Sequence, residues 1–378
     1  MRKIVFINQW PSHLTKDIVN AFAKEYDEVA VIAGRISESG SSLDKKVIIS
    51  RIVKYNKKST LSRVITWIIA TVQTILLVNL KFRNYHLFLT SNPPTLAYLP
   101  LFCRNKYSVQ VLDIYPDALV AGEFIKERSC LYKIWVKQNM RYFAGASNVF
   151  TITNGMAKTI SQYCTPDKIR VIAQWPASSG YAKIERDQNK FIQRHTLEKY
   201  FIVMYSGNIG LGHHVASLVE AARLLKDYKD ILFVIIGEGF NKPVIEKLIR
   251  DYKLRNCLVL PFQSYEMFKY SSQAADIGVV SVSKELAMLS VPIKIYNLIN
   301  NNIPLLGITE GESELASLIS KYEIGQFYGP SHIQEIADYI VSLKNSNELI
   351  NRFKVNLRIC AEVFTPKNAS LYSSDFLY

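Results

Sequence analysis

The chain has 378 residues, a formal net charge of +14 and a hydrophobic content of 49%. This length exceeds the usual size of one domain, so we expect two compact domains with ample cores. The five cysteines are widely scattered, odd in number and without paired spacing, which excludes a paired-cysteine metal motif and favours a reducing cytoplasm.

Strands and helices alternate from the N-terminus onward. Residues 2–7 predict a buried strand, residues 18–25 a helix and residues 28–33 a second strand. This alternation is typical of α/β domains with parallel sheets. No long apolar region or small-residue cleavage pattern follows the first strand, so we expect no secretory signal.

An apolar segment, residues 64–80, has basic residues on both sides. It is slightly short and too polar for a transmembrane span, so the pattern favours a helix in the membrane interface. In that case Trp67, Ile68 and Ile69 would contact lipid. The alternative is a core helix beside a solvated basic loop.

Positive charge is concentrated in the first half of the chain. Residues 1–180 hold 24 Lys and Arg against 11 Asp and Glu, whereas residues 181–378 hold 22 against 21. A basic domain indicates an anionic partner, and the apolar helix favours anionic lipid at the inner membrane face. We expect no nucleic acid partner, because no aromatic-and-basic binding motif is present.

Asp113 follows the apolar residues 108–112, at the carboxyl end of a predicted strand. Ligand crevices of α/β folds open at this end. Asp113 could therefore orient an acceptor hydroxyl or accept its proton, or it could cap a turn.

The domain boundary is visible as a polar stretch. We predict an N-terminal domain over residues 1–180, a linker over 181–198 and a C-terminal domain over 199–363. Residues 364–378 form a short tail that could pack back on the first domain.

A glycine-rich turn follows the apolar residues 203–205 and precedes a predicted helix at 215–225. Gly207, Gly210 and Gly212 would let the backbone approach an anion closely, and the helix N-terminus would add partial positive charge. The alternative is that these glycines only satisfy a tight connection.

Further motifs follow in a fixed order. They are Tyr205-Ser206-Gly207-Asn208-Ile209-Gly210, Ile235-Ile236-Gly237-Glu238-Gly239, Ala274-Ala275-Asp276, Pro292-x-Lys294 and Ile303-Pro304, preceded in the first half by Asp113-Ile114-Tyr115-Pro116-Asp117, residues 147–153, Gly155-Met156 and Ile172-x-x-Trp175. This order resembles glycosyltransferase family 4, in the branch that builds bacterial surface polysaccharides, over nearly the whole chain.

The resemblance implies the α/β architecture called GT-B, with two Rossmann-like parallel-sheet domains facing a central cleft. It also implies a nucleotide-sugar donor and transfer with retention at the anomeric carbon. Negative charge then grows on the departing diphosphate, and the protein must stabilise it. No Asp-x-Asp pair occurs in the chain, so we expect neither a metal nor another cofactor to be required.

The resemblance also implies roles for individual residues. The glycine turn and the amides of Ser290 and Val291 would hold the diphosphate, with Lys294 as a point charge, and Pro261 and Phe262 would meet the base. His13, in the first strand-to-helix loop, would lie near the donor sugar, although helix capping by Thr15 also accounts for that loop. The predicted donor-binding residues are Ser206, Gly207, Asn208, Gly210, His213, Glu238, Pro261, Phe262, Ser290, Val291 and Asn297, and the predicted catalytic residues are Asp113, His13 and Lys294.

Four positions depart from the family pattern. Asn208 and His213 stand where many members have arginine and lysine, and Leu289 and Asn297 stand where many have glutamates. His214, beside His213, is a weaker candidate for positive charge at the diphosphate. Asn297 can still hydrogen-bond a ribose hydroxyl, whereas Leu289 cannot replace a carboxylate near the sugar.

The sequence thus predicts a metal-independent hexosyltransferase, peripheral on the inner face of the cytoplasmic membrane. It would pass a sugar from a UDP-sugar to a lipid-linked saccharide in capsule, O-antigen or exopolysaccharide synthesis. Two alternatives remain, a sugar-nucleotide epimerase of the same architecture and a non-catalytic partner of another glycosyltransferase.

Overall fold

The computed structural model describes residues 1–56, 58–121, 125–176, 182–210, 212–284, 287, 292–374 and 376. The chain divides into two compact units. Unit 1 comprises Met1–Ala177 and Pro366–Tyr378, and unit 2 comprises Ser178–Thr365.

Unit 1 is built on a parallel sheet of seven strands within the described residues, in the order β3-β2-β1-β4-β5-β6-β7. Its central strands are buried over almost their whole length, as expected for a parallel sheet covered on both faces. The strands are β1 (Lys3–Ile7), β2 (Glu28–Ala33), β3 (Ile48–Arg51), β4 (His86–Thr90), β5 (Tyr107–Gln110), β6 (Val149–Thr151) and β7 (Ile169–Val171).

Aromatic side chains dominate the core of unit 1. Phe6 packs against Phe22 and Phe88 with ring centroids 5.3 and 4.7 Å apart. The helices that cover the sheet are α1 (His13–Ala23), α2 (Thr60–Lys81), α3 (Asp117–Ala121), α4 (Cys130–Gly145) and α5 (Asn154–Ile160), with 3-10 helices at Pro94–Leu101 and Pro166–Lys168.

The C-terminal segment packs in the core of unit 1. It forms a 3-10 helix (Pro366–Ser370) and a short helix, Leu371–Ser374. The ring of Tyr372 lies 4.9 Å from that of Phe150, and its hydroxyl accepts a hydrogen bond from Gln110 Nε2 at 3.0 Å.

Helix α2 is long and rich in apolar residues. It begins four residues before the predicted segment, because the Ser59 side chain accepts a hydrogen bond from the Ser62 amide and caps the helix. Its length and mean hydropathy of 1.8 would allow it to cross a membrane. Its buried residues, among them Ala70, Thr74 and Val78, share one face, which packs on the protein.

The opposite face of α2 is apolar and exposed. We call it the apolar stripe; its eight residues are between 39% and 84% exposed. Trp67, predicted to contact lipid, instead lies on the protein-facing side and stacks on Tyr55 at 6.0 Å. The stripe consists of Leu61, Val64, Ile65, Ile68, Ile69, Val72, Leu76 and Leu80.

Unit 2 contains a parallel sheet of six strands in its described part, in the order β10-β9-β8-β11-β12-β13. β8 pairs in register with β9, Val203 opposite Phe233, and with β11, Val203 opposite Ile277. The strands are β8 (Phe201–Ser206), β9 (Ile231–Ile236), β10 (Cys257–Leu260), β11 (Ile277–Val282), β12 (Leu305–Thr309) and β13 (Gly325–Tyr328).

Two clusters of buried residues, one of them built around Tyr205 and Phe233, form the core of unit 2. Its helices are α6 (Lys190–His195), α7 (Val215–Leu224), α8 (Lys242–Asp251), α9 (Tyr265–Ser271), α10 (Lys294–Asn300), α11 (Glu314–Tyr322), α12 (Ile333–Asn345) and α13 (Asn347–Val363), with a 3-10 helix at Arg186–Gln188.

The linker prediction for residues 181–198 was wrong. Phe191 and Ile192 of α6 are buried in the core of unit 2, and the side chain of Asn189 caps the helix. Arg186 forms an ion pair with Asp276 at 3.1 Å. Together with the buried Leu197, Phe191 and Ile192 dock the short helix in the core, so the segment is part of unit 2.

Candidate functional site

The loops after β8, β9 and β10 lie at one edge of the second sheet, because these strands are parallel. Backbone hydrogen bonds join the first two loops. The Gly207 amide donates to Ile236 O at 2.9 Å, and the Ile209 amide donates to Glu238 O at 2.9 Å. The glycine turn therefore has a fixed position at the carboxyl edge, where α/β sheets bind ligands.

Gly237 allows these loops to approach each other. A Cβ atom at this position would lie 1.9 Å from the carbonyl oxygen of Gly207. No side chain fits at that distance, so the glycine is needed for the close contact between the two backbones.

We expect Gly237→Ala to destabilise the protein by about 1–3 kcal/mol, because the added methyl group must push the two loops apart. The urea midpoint of unfolding measures the effect. Gly311→Ala is the matched control, since Gly311 has φ +60° but nothing within 4 Å of its Cβ position. A loss in Gly237→Ala no larger than in Gly311→Ala would contradict the steric explanation.

Lys294, the first residue of α10, places its ammonium group beside this turn. Its Nζ lies 3.8 Å from the centroid of the Tyr205 ring and 3.2 Å from the Cβ position of Gly207. The nitrogen is buried and has no hydrogen-bond partner among the described residues. Burial lowers the pKa of Lys294 to about 7. A buried cation beside an aromatic ring, with no hydrogen-bond partner in the described part of the chain, is suited to an anionic ligand.

Two histidines follow the turn and lie near Lys294. His213 Nδ1 and His214 Nε2 are buried without a hydrogen-bond partner in the described part of the chain. Burial, together with the charges of Lys294 and His214, lowers the pKa of His213 to about 4. His213 is therefore neutral at pH 7 and can donate one N–H to a ligand.

Asn208 and Ser206 shape the turn. The backbone carbonyl of Asn208 accepts a hydrogen bond from the Tyr205 hydroxyl at 2.6 Å. Its exposed side chain lies against Gly210 and Gly239, within 3 Å of both Cβ positions. Ser206 is the last residue of β8. The structure thus brings Ser206, Gly207, Asn208 and Gly210 together.

The other predicted donor residues occupy neighbouring loops. Glu238 is exposed, and its carboxylate forms an ion pair with Lys242 at 2.7 Å. Pro261 and Phe262 follow β10, and the Phe262 side chain is 55% exposed, which leaves its ring open to stacking. Asn297 lies one turn after Lys294 on α10, on the same side of the helix.

Part of the predicted site cannot be placed. Ser290 and Val291, and also Leu289, lie outside the described residues.

In unit 1, Asp113 lies just beyond β5 at the carboxyl edge of the first sheet. Its amide and that of Leu112 both donate to Ser91 Oγ, at 3.2 and 3.1 Å. Although Asp113 keeps exposed surface, the protein around its carboxyl group removes water and raises its pKa above the usual value. A carboxylate with a raised pKa is the better proton acceptor.

His13 has a position that the sequence prediction did not anticipate. It is 4% exposed, lies under Gly40, and its Nε2 is 3.0 Å from Trp175 O. Burial lowers its pKa, so the ring is held neutral inside unit 1. The alternative of capping by Thr15 was also wrong, because α1 begins at His13 and the Thr15 hydroxyl accepts from Asn8 at 3.1 Å.

Sequence analysis missed the role of Tyr205, whereas it named His214 beside His213 as a weaker candidate for positive charge at the diphosphate. Tyr205 is the penultimate residue of β8, and its ring is the surface on which the Lys294 ammonium rests. The two residues are far apart in sequence, so only the fold brings them together. An aromatic residue directly before the glycine turn was the available signal.

Two parallel sheets, each covered by helices and with loops at the carboxyl ends of its strands, define the GT-B fold of glycosyltransferases. WaaG, a glycosyltransferase involved in lipopolysaccharide biosynthesis, matches with a TM-score of 0.69 and 14% identity over 97% of this chain and 98% of WaaG. Anabaena Alr3699/HepE in complex with UDP-glucose matches with a TM-score of 0.73 and 13% identity over 99% of both chains. At these identities the likeness establishes the fold.

Residues 187–358 match the family described as Glycosyl transferases group 1. The WcaI protein of Escherichia coli (strain K12), assigned by name to colanic acid biosynthesis as a glycosyl transferase, is 26% identical over 179 residues. That match spans 46% of this chain and 44% of WcaI, less than half of the relative. The part of the chain that is similar to group 1 glycosyl transferases thus lies within unit 2.

Proposed function

We propose that this protein is a retaining glycosyltransferase of family 4 that transfers a hexose from a UDP-sugar to a lipid-linked saccharide. The product would enter capsule, O-antigen or exopolysaccharide synthesis. The observation that carries this proposal is the buried ammonium group of Lys294, which faces the glycine turn and has no anionic partner among the described residues.

Unit 2 binds the donor in this proposal. The diphosphate lies against the turn at Gly207, where Lys294 supplies positive charge and neutral His213 donates a hydrogen bond. Both groups stabilise the charge that grows on the departing diphosphate. The exposed ring of Phe262 stacks on the base, and Asn297 contacts a ribose hydroxyl.

The names of the relatives support this choice of donor and product. HepE was crystallised with UDP-glucose, and WaaG and WcaI are assigned to lipopolysaccharide and colanic acid biosynthesis. These names describe those proteins, and we extend them to this chain as part of the proposal.

Unit 1 binds the acceptor, and Asp113 orients the attacking hydroxyl and accepts its proton. The apolar stripe of α2, flanked by exposed Lys58 and Lys81, holds the protein on the inner face of the cytoplasmic membrane. A soluble epimerase would have no use for this stripe.

We further propose that transfer needs no metal ion, since Lys294 provides the positive charge that a metal would otherwise supply. No cofactor beyond the nucleotide-sugar substrate is required.

A thermal-shift series with UDP, GDP, ADP, TDP and CMP tests the donor site, with EDTA or with Mg²⁺. A nucleotide that binds only the folded protein stabilises it by about 2.7 kcal/mol at 100 times its Kd. We expect the largest shift with UDP, unchanged by EDTA. No shift with any nucleotide would contradict the donor site. A UDP shift without transfer to any lipid-linked acceptor would favour the non-catalytic partner.

A further inference from the structure

A row of aromatic side chains runs along the carboxyl edge of the first sheet. Trp10 lies 6.4 Å from Tyr55, Tyr55 stacks on Trp67 at 6.0 Å, and Trp67 lies 6.5 Å from Tyr115, as ring centroids. Tyr115 is two residues beyond Asp113. The row therefore connects the proposed proton acceptor with the first turns of α2.

One polar atom of this row and one of the nearby Arg63 have no hydrogen-bond partner in the part of the chain that the structure describes. Arg63 Nε and Trp67 Nε1 are buried and make no hydrogen bond to any described residue. Buried donors are nearly always satisfied, so a pair of unsatisfied donors side by side needs an explanation. Both N–H groups belong to side chains that lie one turn apart on α2. A bound hydrogen-bond acceptor would satisfy both.

The positive charge of Arg63 affects the pKa of two neighbouring tyrosines, Tyr55 and Tyr115. Burial raises the pKa of Tyr55 and Tyr115, and the Arg63 guanidinium lowers each of them in part. The carboxylate of Asp113 acts on Tyr115 in the opposite sense. Arg63, the two tyrosines and Asp113 therefore belong to one neighbourhood, which is positive at the α2 end and negative at the Asp113 end.

The two faces of α2 separate this neighbourhood from the apolar stripe. Arg63 and Trp67 stand seven residues before the buried Ala70 and Thr74, two helical turns earlier on the same face, so they point toward the protein. Beside them, an open cavity is lined by Trp10, Lys54, Tyr55, Asn56, Lys58 and Thr66.

This arrangement fits an acceptor with three parts. The faces of the aromatic rings can pack on the C–H face of a sugar, and the Arg63 fork matches two phosphate oxygens. Lys54 and Lys58 are exposed at the rim and add positive charge. The apolar stripe, on the opposite face of the same helix, would lie in lipid and keep the rim at the membrane surface.

We propose that Arg63, Tyr55 and Trp67 bind the phosphate end of a lipid-phosphate-linked saccharide, with its sugar directed along the aromatic row toward Asp113 and its lipid chain toward the bilayer. This inference rests on the proposed function for the role of Asp113. The site itself would bind such a molecule whether or not transfer follows.

Binding of two soluble probes tests the site. The probes are geranyl diphosphate carrying one N-acetylglucosamine and inorganic diphosphate, titrated by tryptophan fluorescence on the full chain. We expect the lipid-sugar probe to bind at least tenfold more tightly than inorganic diphosphate. Arg63→Gln should weaken binding of the lipid-sugar probe at least tenfold and leave the UDP thermal shift intact.

Arg104→Gln is the matched control. Arg104 is exposed before the amino end of β5, at the opposite edge of the sheet from Asp113, and the change removes the same charge. Trp67→Phe keeps an aromatic side chain and removes the unsatisfied N–H together with the five-membered ring. It serves if Arg63→Gln does not fold, with an expected loss of several-fold.

Three results would overturn the proposal. Equal affinity for the two probes would indicate a site for free anions. Equal losses in Arg63→Gln and Arg104→Gln would indicate general charge attraction. The third result is unchanged probe binding in both Arg63→Gln and Trp67→Phe. Failure of the donor site appears separately, as a missing UDP shift in the wild-type protein.

Discussion

Lys294→Met is expected to reduce sugar transfer by about 100- to 1,000-fold, the usual effect of removing one preorganised group that stabilises charge in a transition state. The physical reason is the position of the ammonium group, buried beside Gly207 against the Tyr205 ring. The UDP-induced thermal shift should disappear as well. Transfer assays and thermal unfolding measure the two effects on the same preparation.

The same substitution should stabilise the protein without ligand. Burial lowers the pKa of Lys294 to about 7 in the folded state, and the unfolded chain binds more protons between that pH and the unperturbed value of about 10.4. Stability therefore rises with pH across this window, and the unfavourable contribution of Lys294 is fully present below pH 7. Lys294→Met removes it, so its melting temperature at pH 7 should exceed that of the wild type. A lower melting temperature would contradict the unpaired charge.

The pH dependence of UDP binding provides the internal control. A bound diphosphate favours the protonated amine, so binding above pH 7 takes up a proton and the affinity should fall by up to about tenfold per pH unit. Lys294→Arg keeps its charge across this range and should show a flatter profile between pH 7 and 9. Parallel profiles in the two proteins would mean that Lys294 does not titrate in the binding step.

Local patterns predicted several strands of both sheets, whereas the first helix, predicted at residues 18–25, lies at His13–Ala23. The bounds of β2, residues 28–33, agree at both ends. An apolar run that polar residues separate from its neighbours is easily recognised as one buried strand. The glycine turn was placed correctly because it directly follows β8, which is also a recognisable apolar run. Segments with few apolar residues were harder, and residues 181–198 were predicted as a linker because their core residues, Phe191, Ile192 and Leu197, stand among polar residues.

Side-chain direction could not be read from the sequence. His13 was predicted in the first strand-to-helix loop, but it is the first residue of α1 and its ring turns inward to Trp175. Trp67 lies among aliphatic residues that face outward, yet it packs on Tyr55. The contact of Lys294 with Tyr205 depends on the pairing of β8 with β11 and on the position of α10, which no local pattern reveals.

The apolar stripe of α2 leads to the second large expected effect. Replacing Ile68, Val72 and Leu76 by glutamine should lower the affinity for vesicles of phosphatidylglycerol at least about 100-fold, since burying each aliphatic side chain contributes roughly 1.5–3 kcal/mol. These three side chains are between 51% and 56% exposed, so the fold should tolerate the change. Vesicle sedimentation measures the affinity, and circular dichroism checks the fold.

A control of equal size lies in unit 2. Val244, Val355 and Ile359 are between 52% and 60% exposed, and their replacement by glutamine should leave vesicle binding unchanged.

Salt separates the two contributions to binding. Attraction of the basic residues to anionic lipid is screened at high ionic strength, whereas insertion of apolar side chains is not. Wild-type binding should therefore weaken but persist in 0.5 M NaCl. Complete release by salt, or retention of the stripe variant on vesicles, would show that charge alone holds the protein and that the stripe covers some other surface.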